Sequence, residues 1–500
     1  MKIYNTLYQG LKEFIPLEEK KVKIYVCGPT VYDYPHLGHA RCYIIWDVAV
    51  RYLKFKGYDV KYVRNITDID DKIINKAKET NSSPKQIAQK YYKEFEKTMD
   101  ELNVAKPDIE PKATENIQEM IEIIKILIEK GFAYVSDGDV YFRVNKYRKY
   151  GMLSKQNIDE LKAGIRIAMS EKKEDPLDFT LWKETKSDDE ISWDSPWGKG
   201  RPGWHIECSA MIKKYLGENI DIHAGGQDLI FPHHENEKAE SEAAFGTEFV
   251  KYWMHNGFVL INEEKMSKSL GNFVTIKDVL DKYDANTIRF FILTSHYRMP
   301  IEFSDEGLKS AKAGVKRLKN TIDDIRVTLP ENMLQEAHNL LNIMIDEIAK
   351  TEHFPFHQID TMHYLEKIVN EEYANDLIRM IKRFINDMDD DFNTPRALAS
   401  LFELANCAQR SRELDHIEGS AFCVVLLLKL SGILGFDLSR VEMPDNILVS
   451  QLMDIILSVR GIARDQKNWE IADKIRDELK KTGVTLKDHK NGTTSWNFDK

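Results

Sequence analysis

The sequence contains few cysteines, little glycine or proline, and no long apolar run. Its 500 residues include only five cysteines, at positions 27, 42, 208, 407 and 423. Such an odd, widely spaced set is not a disulfide framework, so we expect free, catalytic or metal-bound thiols in a reducing compartment. Glycine contributes 25 residues and proline 15, which excludes collagen-like and low-complexity classes.

The longest apolar run spans residues 421–428, whereas a transmembrane helix needs about 20 apolar residues. The N-terminal segment has an early Glu13 and lacks the apolar core of a signal peptide and the arginines of a transit peptide. We therefore expect a cytoplasmic protein with no membrane partner. The formal net charge of −10 argues against a nucleic-acid-binding protein, but phosphate responds to a local patch of charge and not to the whole-chain sum.

The order of predicted elements indicates an α/β fold that is interrupted by an insertion. Residues 22–26 and 59–64 predict strands, and 3–4 spacing of apolar residues over 40–55 predicts a helix between them. Strand–helix–strand units are typical of a parallel doubly wound sheet. The pattern resumes with helices predicted at 206–216 and from His233 to 245, and the irregular stretch 131–200 before them is interpreted as an insertion. Beyond residue 304 the sequence is almost wholly helical to 434.

Two loop motifs carry residues suited to phosphate chemistry. His36 and His39 lie three residues apart where a loop enters a helix, and Gly38 between them allows a ligand to approach the backbone. Lys265 and Lys268 lie in the segment KMSKS, where their charge would neutralise phosphates during transfer. Each motif alone is also compatible with an ordinary surface loop.

Four scattered residues have the chemistry of zinc ligands. Cys27 ends the first predicted strand, Cys208 lies in a predicted helix, and His233 and Glu237 share one helix face at i and i+4. Two sulfurs, an imidazole and a carboxylate suit zinc. Spacing alone leaves a second interpretation open, because two buried thiols and a separate surface His/Glu pair explain the same residues.

These segments resemble the class I aminoacyl-tRNA synthetases and, among them, the cysteinyl-tRNA synthetases. HLGH differs from the HIGH signature only by Leu37 in place of isoleucine, and KMSKS is complete. The segments CGPTVYDYPHLGHAR, ITDIDDKI, GRPGWHIECSAM and DIHAGGQDLIFPHHENE carry the similarity through residues 22–305. MDDDFNTPRALA, ADKIRDEL and GTTSW extend it towards the C-terminal end.

The resemblance implies a three-part architecture. A Rossmann-type α/β catalytic domain with a parallel sheet would occupy residues 1–303, with the insertion at about 110–200. An α-helical domain that contacts the tRNA stem would follow at 304–440, and a small C-terminal anticodon-binding module at 441–500. The protein is expected to be a monomer.

The resemblance also implies an activity, which is the activation of L-cysteine by Mg-ATP to cysteinyl-adenylate and its transfer to tRNA(Cys). One zinc ion per chain, bound by Cys27, Cys208, His233 and Glu237, would select cysteine through its thiolate. Such a device is needed because a hydrophobic pocket distinguishes small groups by only about 1–3 kcal/mol. Two alternatives are a ligase that hands cysteinyl-adenylate to an amino-sugar, and a catalytically inactive RNA-binding paralogue.

The resemblance assigns further residues to each ligand. The ATP site would contain His36, Gly38, His39, Lys265 and Lys268, of which the histidines and lysines are catalytic. The cysteine pocket would contain Gly28, Thr30, Thr67, Trp204 and His223, with the imidazoles of His205 and His255 nearby. A basic stripe, formed by Lys309, Lys312, Lys316 and Lys319, predicts contact with the tRNA backbone. Trp469 and Trp496 in the C-terminal module predict stacking on unpaired bases.

Overall fold

The computed structural model describes residues 1–157, 172–185, 191–266, 273–350, 360–439, 446–488 and 494–498. These residues fall into two compact units, Met1–Leu438 and Ser439–Lys500. The predicted division of the first unit near residue 303 stays a prediction. Among the described residues, no helix combines the length and apolar character that a membrane span requires.

The first unit combines short strands with long helices. Its strands are β1 (Lys2–Asn5), β2 (Gly10–Glu13), β3 (Lys21–Val26), β4 (Asp59–Arg64), β5 (Ala133–Ser136), β6 (Asp139–Phe142), β7 (Phe179–Glu184), β8 (Gly200–Pro202), β9 (Ile220–Gly226), β10 (Val250–Asn256), β11 (Val259–Ile261), β12 (Glu264–Lys265) and β13 (Ile301–Glu302). Its helices are α1 (Leu37–Phe55), α2 (Asp71–Glu79), α3 (Pro84–Glu101), α4 (Ile117–Glu129), α5 (Trp204–Tyr215), α6 (Glu235–Phe245), α7 (Ile276–Leu280), α8 (Ala285–Leu293), α9 (Asp305–Arg326), α10 (Glu331–Lys350), α11 (Asp360–Asp389), α12 (Thr394–Glu413) and α13 (Ile417–Ile433).

A four-stranded parallel sheet in the order β10–β9–β3–β4 positions the functional residues. From β3 the chain proceeds to β4 on one side, whereas β9 lies on the other side and leads on to β10. Ligands of open α/β sheets bind at such a reversal, outside the carboxyl ends of the strands. Cys27 directly follows β3, and His223 lies in the adjacent strand, level with Tyr25. The topology therefore brings predicted metal and substrate residues to the same crevice.

Helix α1 packs against this sheet and is apolar almost all round. Fourteen of its residues are buried, which is the pattern of a helix enclosed on both sides. The side chain of His36 caps its N-terminus by accepting the backbone N–H of Gly38, so one end of a core helix fixes the position of the HLGH segment.

The insertion differs from the sequence expectation. Residues 131–200 were expected to be irregular, but β5, β6, β7 and β8 form a four-stranded antiparallel sheet. These strands have three to six residues and are too short to display a clear alternation of apolar and polar side chains. The turn at residues 136–139 joins β5 to β6, and Asp137 and Gly138 adopt positive φ there.

A helical region follows the sheet and is attached to it through buried charges. Arg289 on α8 and Asp47 on α1 are fully buried, with Nη2 and Oδ2 2.5 Å apart. The same guanidinium donates to the carbonyl oxygens of Leu102 and Leu434. Gly435 has φ +76° and passes so close that a Cβ there would collide with Arg289. This contact ties the end of the helical hairpin α12–α13 to α8.

The second unit is a small α/β module. It contains helices α14 (Asn446–Asp465) and α15 (Trp469–Lys481) and the antiparallel strands β14 (Val484–Asp488) and β15 (Thr494–Phe498). Arg460 on α14 is buried, and its guanidinium donates to both carboxylate oxygens of Asp488 at 2.8 and 2.9 Å. The bidentate pair fixes the helix against the hairpin. Trp469 is exposed at the start of α15.

Candidate active site and metal centre

The four residues predicted as zinc ligands meet in one buried cluster. One ligand atom from each of Cys27, Cys208, His233 and Glu237 lies within 4.8 Å of every other. Cys27 follows β3, Cys208 lies on α5, and the other two lie around the start of α6. Three segments that are distant in sequence therefore present their donor atoms to a common point.

The separations of these atoms lie within a few tenths of an ångström of those in a tetrahedral metal site. The two sulfurs are 4.0 Å apart, Cys208 Sγ is 3.6 Å from His233 Nε2, and Cys27 Sγ is 3.7 Å from Glu237 Oε1. Zinc bonds of about 2.0–2.3 Å in tetrahedral geometry place neighbouring ligand atoms about 3.3–3.8 Å apart. The donor set and its spacing therefore fit a zinc ion.

A second, overlapping group shares Cys27 and Glu237. His223 and His234 complete it, and His234 Nε2 lies 3.2 Å from Cys27 Sγ. The sequence predicted His223 as a pocket residue and did not single out His234. The signal was present in PHHENE, because His233 and His234 stand at i−4 and i−3 from Glu237 and both can reach it on a helix.

His233 and His234, which distinguish the two groups, have different hydrogen-bond partners on their other ring nitrogens. His234 Nδ1 lies 2.8 Å from His255 Nε2, and His255 Nδ1 lies 2.8 Å from Thr6 Oγ1. On the opposite side, His233 Nδ1 lies 2.9 Å from His205 Nδ1. The nearby imidazoles predicted from the sequence thus support the two histidines from behind.

His223 holds the second oxygen of the Glu237 carboxylate, the one that does not face Cys27 Sγ. Its Nε2 lies 2.8 Å from Glu237 Oε2, and its ring stacks on Trp253 at a centroid distance of 4.9 Å. Burial opposes ionisation of Glu237, but His223 and His233 outweigh it and lower the pKa of the carboxyl to about 2. The carboxylate is therefore charged and oriented, as a metal ligand must be.

Burial and contacts within the cluster also shift the pKa values of its other members. Burial lowers the pKa of His233, but the adjacent Glu237 carboxylate raises it overall to about 10. Burial raises the pKa of the Cys27 thiol. For Cys208, hydrogen bonds with Cys27 and His233 overcome burial and lower the pKa of the thiol. Without a metal, these groups share protons that an ion must displace.

Of the residues predicted for the cysteine pocket, Trp204 and His223 contact this cluster and Gly28 directly follows Cys27. The backbone N–H of Gly28 donates to Asn65 Oδ1 at 2.7 Å, and a Cβ at Gly28 would lie 1.4 Å from the Asn65 carbonyl oxygen. Thr30 and Thr67 pair across a β-bridge. Trp204 stacks on His233 at 4.1 Å. Only glycine fits where the chain passes from Cys27 into the loop.

A cavity of about 420 Å³ opens beside Trp204. Glu207 lines it and is buried, and it accepts a hydrogen bond of 2.9 Å from the hydroxyl of Thr67. Sequence reasoning missed Glu207, since no local pattern distinguishes it from other helical acids. Arg201 also lines the cavity and pairs with Asp71. This cavity adjoins the cluster and has room for a small polar ligand.

The HLGH segment is built to present two imidazoles. The rings of His36 and His39 stack with centroids 3.8 Å apart. Nδ1 of each accepts a backbone hydrogen bond, His36 from Gly38 and His39 from His36. In a neutral imidazole this fixes the proton on Nε2 and makes that atom a donor. Gly38 is needed because a Cβ there would lie 2.9 Å from the His36 ring.

The flanks of the KMSKS segment lie near HLGH. Beyond the segment, Thr275 forms a β-bridge with His36, and Leu37 donates its backbone N–H to the Val274 carbonyl. At its first residue, the Lys265 ammonium lies 3.9 Å from Asp228 and 4.0 Å from the centroid of the Phe258 ring. The structure thus brings the residues that follow the segment to the helix cap. The predicted catalytic Lys268 lies outside the described residues.

Comparison with known families and proteins agrees with this arrangement. Residues 13–313 match the family described as tRNA synthetases class I (C) catalytic domain, and residues 383–439 match the DALR domain. A cysteine–tRNA ligase of Fusobacterium nucleatum is 47% identical over 99% of both chains. One from Clostridioides difficile is 46% identical over 98% of this chain and 99% of its own.

Solved structures with low sequence identity share the fold. A LeuRS from Agrobacterium radiobacter K84, in a ternary complex with tRNA, has a TM-score of 0.60 at 12% identity, covering 85% of this chain and 86% of its own. Mycobacterium tuberculosis methionyl-tRNA synthetase has a TM-score of 0.54 at 15% identity, covering 83% and 90%. The α/β architecture with its helical region is therefore a class I synthetase fold.

Proposed function

Because this chain belongs to the cysteine–tRNA ligases, it activates cysteine with ATP and charges tRNA, and we propose that a zinc ion bound by Cys27, Cys208, His233 and Glu237 selects the amino acid. The observation that carries the proposal is the convergence of these four donor atoms within 4.8 Å in a buried crevice. The relatives' full-length similarity supports the charging reaction.

When bound, zinc supplies a coordination position for the substrate thiolate, which serine and alanine cannot fill equally well. The set built around Cys208 and His233 is preferred over that of His223 and His234, because it offers two thiolates to a borderline-soft ion. In this arrangement His223 positions Glu237, and Gly28 and Thr67 flank the amino acid. Trp204 covers the His233 side of the pocket.

The chain's own residues provide the remaining steps by positioning and charge. The Nε2–H donors of His36 and His39 would bind the α-phosphate of Mg-ATP as the amino acid's carboxylate attacks it, and Gly38 allows the phosphate to approach. Lys265 and Lys268 would stabilise the departing pyrophosphate. No protein nucleophile is required, because the substrate carboxylate itself forms the new bond.

Contact with tRNA is proposed for two surfaces. On α9, Lys309, Lys312 and Lys316 are exposed along one face and Lys319 is half-buried, so a local positive stripe exists despite the acidic total charge. The C-terminal unit, with exposed Trp469, would read the anticodon region of tRNA(Cys). We also propose that the protein acts as a cytoplasmic monomer.

Metal analysis combined with cysteine-dependent ATP–pyrophosphate exchange tests the proposal. We expect one zinc per wild-type chain, and loss of zinc together with an at least ~100-fold fall in exchange for Cys208→Ser. Cys407→Ser is the matched control, because that thiol lies in the helical region, and it should retain both zinc and exchange. A metal-free wild-type enzyme that still prefers cysteine to serine would overturn the role of zinc.

A further inference from the structure

A second pair of cysteine thiols lies in the helical region, outside every residue named for the reaction. Cys407 on α12 and Cys423 on α13 face each other, with their sulfur atoms 3.3 Å apart. This separation is shorter than the 4.0 Å between Cys27 and Cys208. The two thiols are therefore already close to the distance at which a small movement forms a sulfur–sulfur bond.

The two helices hold the thiols in this position by close packing of a hairpin. Ser420 on α13 donates its hydroxyl to the Ala408 carbonyl at 3.3 Å, which joins the helices one residue from Cys407. Gly419 packs against Ser411 Oγ and the ring of Tyr373, where a Cβ would find contacts of 3.2–3.4 Å. The approach of the sulfurs therefore follows from the fixed geometry of the hairpin.

The two thiols differ in accessibility, which assigns them different roles. Cys407 is half-buried and within reach of a small oxidant, whereas Cys423 is fully buried. The hydrogen bond donated by Cys423 also lowers the pKa of the Cys407 thiol, which favours its thiolate. Cys407 is thus suited to react first, and Cys423 to follow as the neighbour that completes the bond.

We propose that Cys407 and Cys423 are a peroxide-sensitive dithiol that forms a reversible disulfide. The Cys407 thiolate attacks one oxygen of hydrogen peroxide, the O–O bond breaks, and the released hydroxide takes a proton to become water. The Cys423 thiol then attacks the sulfur of the sulfenic acid, the S–O bond breaks, and a second water leaves with the Cys423 proton. Two thiols are oxidised, and one peroxide is reduced to two waters.

The disulfide would join α13 to α12, and α12 contacts α9, the helix that carries the basic stripe. Residues adjacent to Cys407 hold that helix, since Arg317 Nη2 donates to Asn406 Oδ1 at 2.7 Å and Gln409 Nε2 donates to Thr321 Oγ1 at 3.0 Å. Cross-linking α12 to α13 would therefore fix the support of α9, while leaving the crevice of the sheet unchanged.

Peptide mapping of the full-length, zinc-loaded protein tests this inference. Reduced protein is treated with a small molar excess of hydrogen peroxide, the remaining thiols are blocked with N-ethylmaleimide, and tryptic peptides are analysed without reduction. We expect a disulfide-linked pair of the peptides 397–410 and 413–429 that disappears on treatment with dithiothreitol. These peptides are distinct from those of Cys27 and Cys208, so oxidation of the metal site is scored separately.

Two variants test the order of the two oxidation steps. In Cys423→Ser, Cys407 should accumulate as sulfenic acid and be trapped by dimedone, while Cys42→Ser should form the cross-link as the wild type does. If wild-type Cys407 is trapped by dimedone without cross-linking, or stays fully alkylated by N-ethylmaleimide, the inference is overturned. The wild-type mapping decides the question even where a variant folds poorly.

Discussion

The carboxylate of Glu237 is held by a residue that need not touch the metal. His223 Nε2 bonds its outer oxygen at 2.8 Å, while its inner oxygen lies 3.0 Å from His233 Nε2. We predict that His223→Phe, which keeps a ring stacked on Trp253 but removes the hydrogen bond, lowers zinc affinity about 10–100-fold. Competition with a chromophoric chelator measures this change. His416→Phe, at a position outside the site, is the control, and equal zinc affinities of the two variants would contradict the role.

The protonation of the metal-free cluster predicts how zinc binding depends on pH. The pKa of His233 is raised to about 10, and the pKa of the Cys27 thiol is also raised, so both carry protons near pH 7. Zinc must displace these protons, and its affinity should increase as pH rises from 7 to 9, by about tenfold per unit for each proton released. Calorimetry in buffers of different ionisation enthalpy counts the protons. A pH-independent affinity would exclude this linkage.

The four proposed ligands were available from the sequence only through its resemblance to a family, because spacing alone left a second interpretation open. Cys27 and Cys208 belong to different elements and have no CxxC neighbour, so spacing could not join them. The choice between His233 and His234 depends on which thiol each imidazole faces, Cys208 for His233 and Cys27 for His234, and a one-dimensional pattern does not contain this information. Glu207 was missed for the same reason, because its partner Thr67 comes from a separate loop.

At the level of elements, the buried pair Arg289–Asp47 joins α8 to α1. Removing the guanidinium also leaves the carbonyl of Leu434 without its donor. We predict that Arg289→Met lowers the free energy of unfolding by about 3 kcal/mol, because the carbonyls of Leu102 and Leu434 lose this buried donor and the buried Asp47 carboxylate keeps only Arg51 as a charged partner. Arg379→Met is the control, since that side chain is mostly exposed and its pair with Asp376 contributes at most about 1 kcal/mol. Denaturant unfolding followed by circular dichroism compares the two variants, and equal losses would contradict the prediction.

Elements with a clear period were predicted more closely than those whose form depends on partners. The predicted strand 59–64 coincides with β4, and the helix predicted at 206–216 corresponds to α5, two residues earlier at its start. The helix predicted from His233 begins at Glu235, after a π-turn at Ile230–His234. The sheet of β5–β8 was not predicted, because such short strands are stabilised by pairing with each other and not by their own sequence pattern.

At the scale of the whole molecule, the residues proposed for amino acid activation and those proposed to read the anticodon lie in different units. The metal cluster, the HLGH cap and the cavity beside Trp204 all lie within Met1–Leu438, which has its own hydrophobic cores. The proposed anticodon contacts lie in Ser439–Lys500. The acidic total charge is compatible with this division, because α9 provides a local positive face.

We therefore predict that a chain ending at Leu438 retains cysteine-dependent ATP–pyrophosphate exchange within about twofold of the full chain, but charges tRNA(Cys) at least ~100-fold less efficiently. Each 1.4 kcal/mol of lost contact costs a factor of ten, and loss of the base-stacking surface removes several such contacts. Initial rates of both reactions, measured on the same preparations, separate the two effects. In the full chain, Lys312→Gln should weaken charging only modestly and leave exchange intact. If the shortened chain charges tRNA normally, the second unit has another role. If it loses exchange while keeping its zinc and its helical content, amino acid activation depends on the second unit.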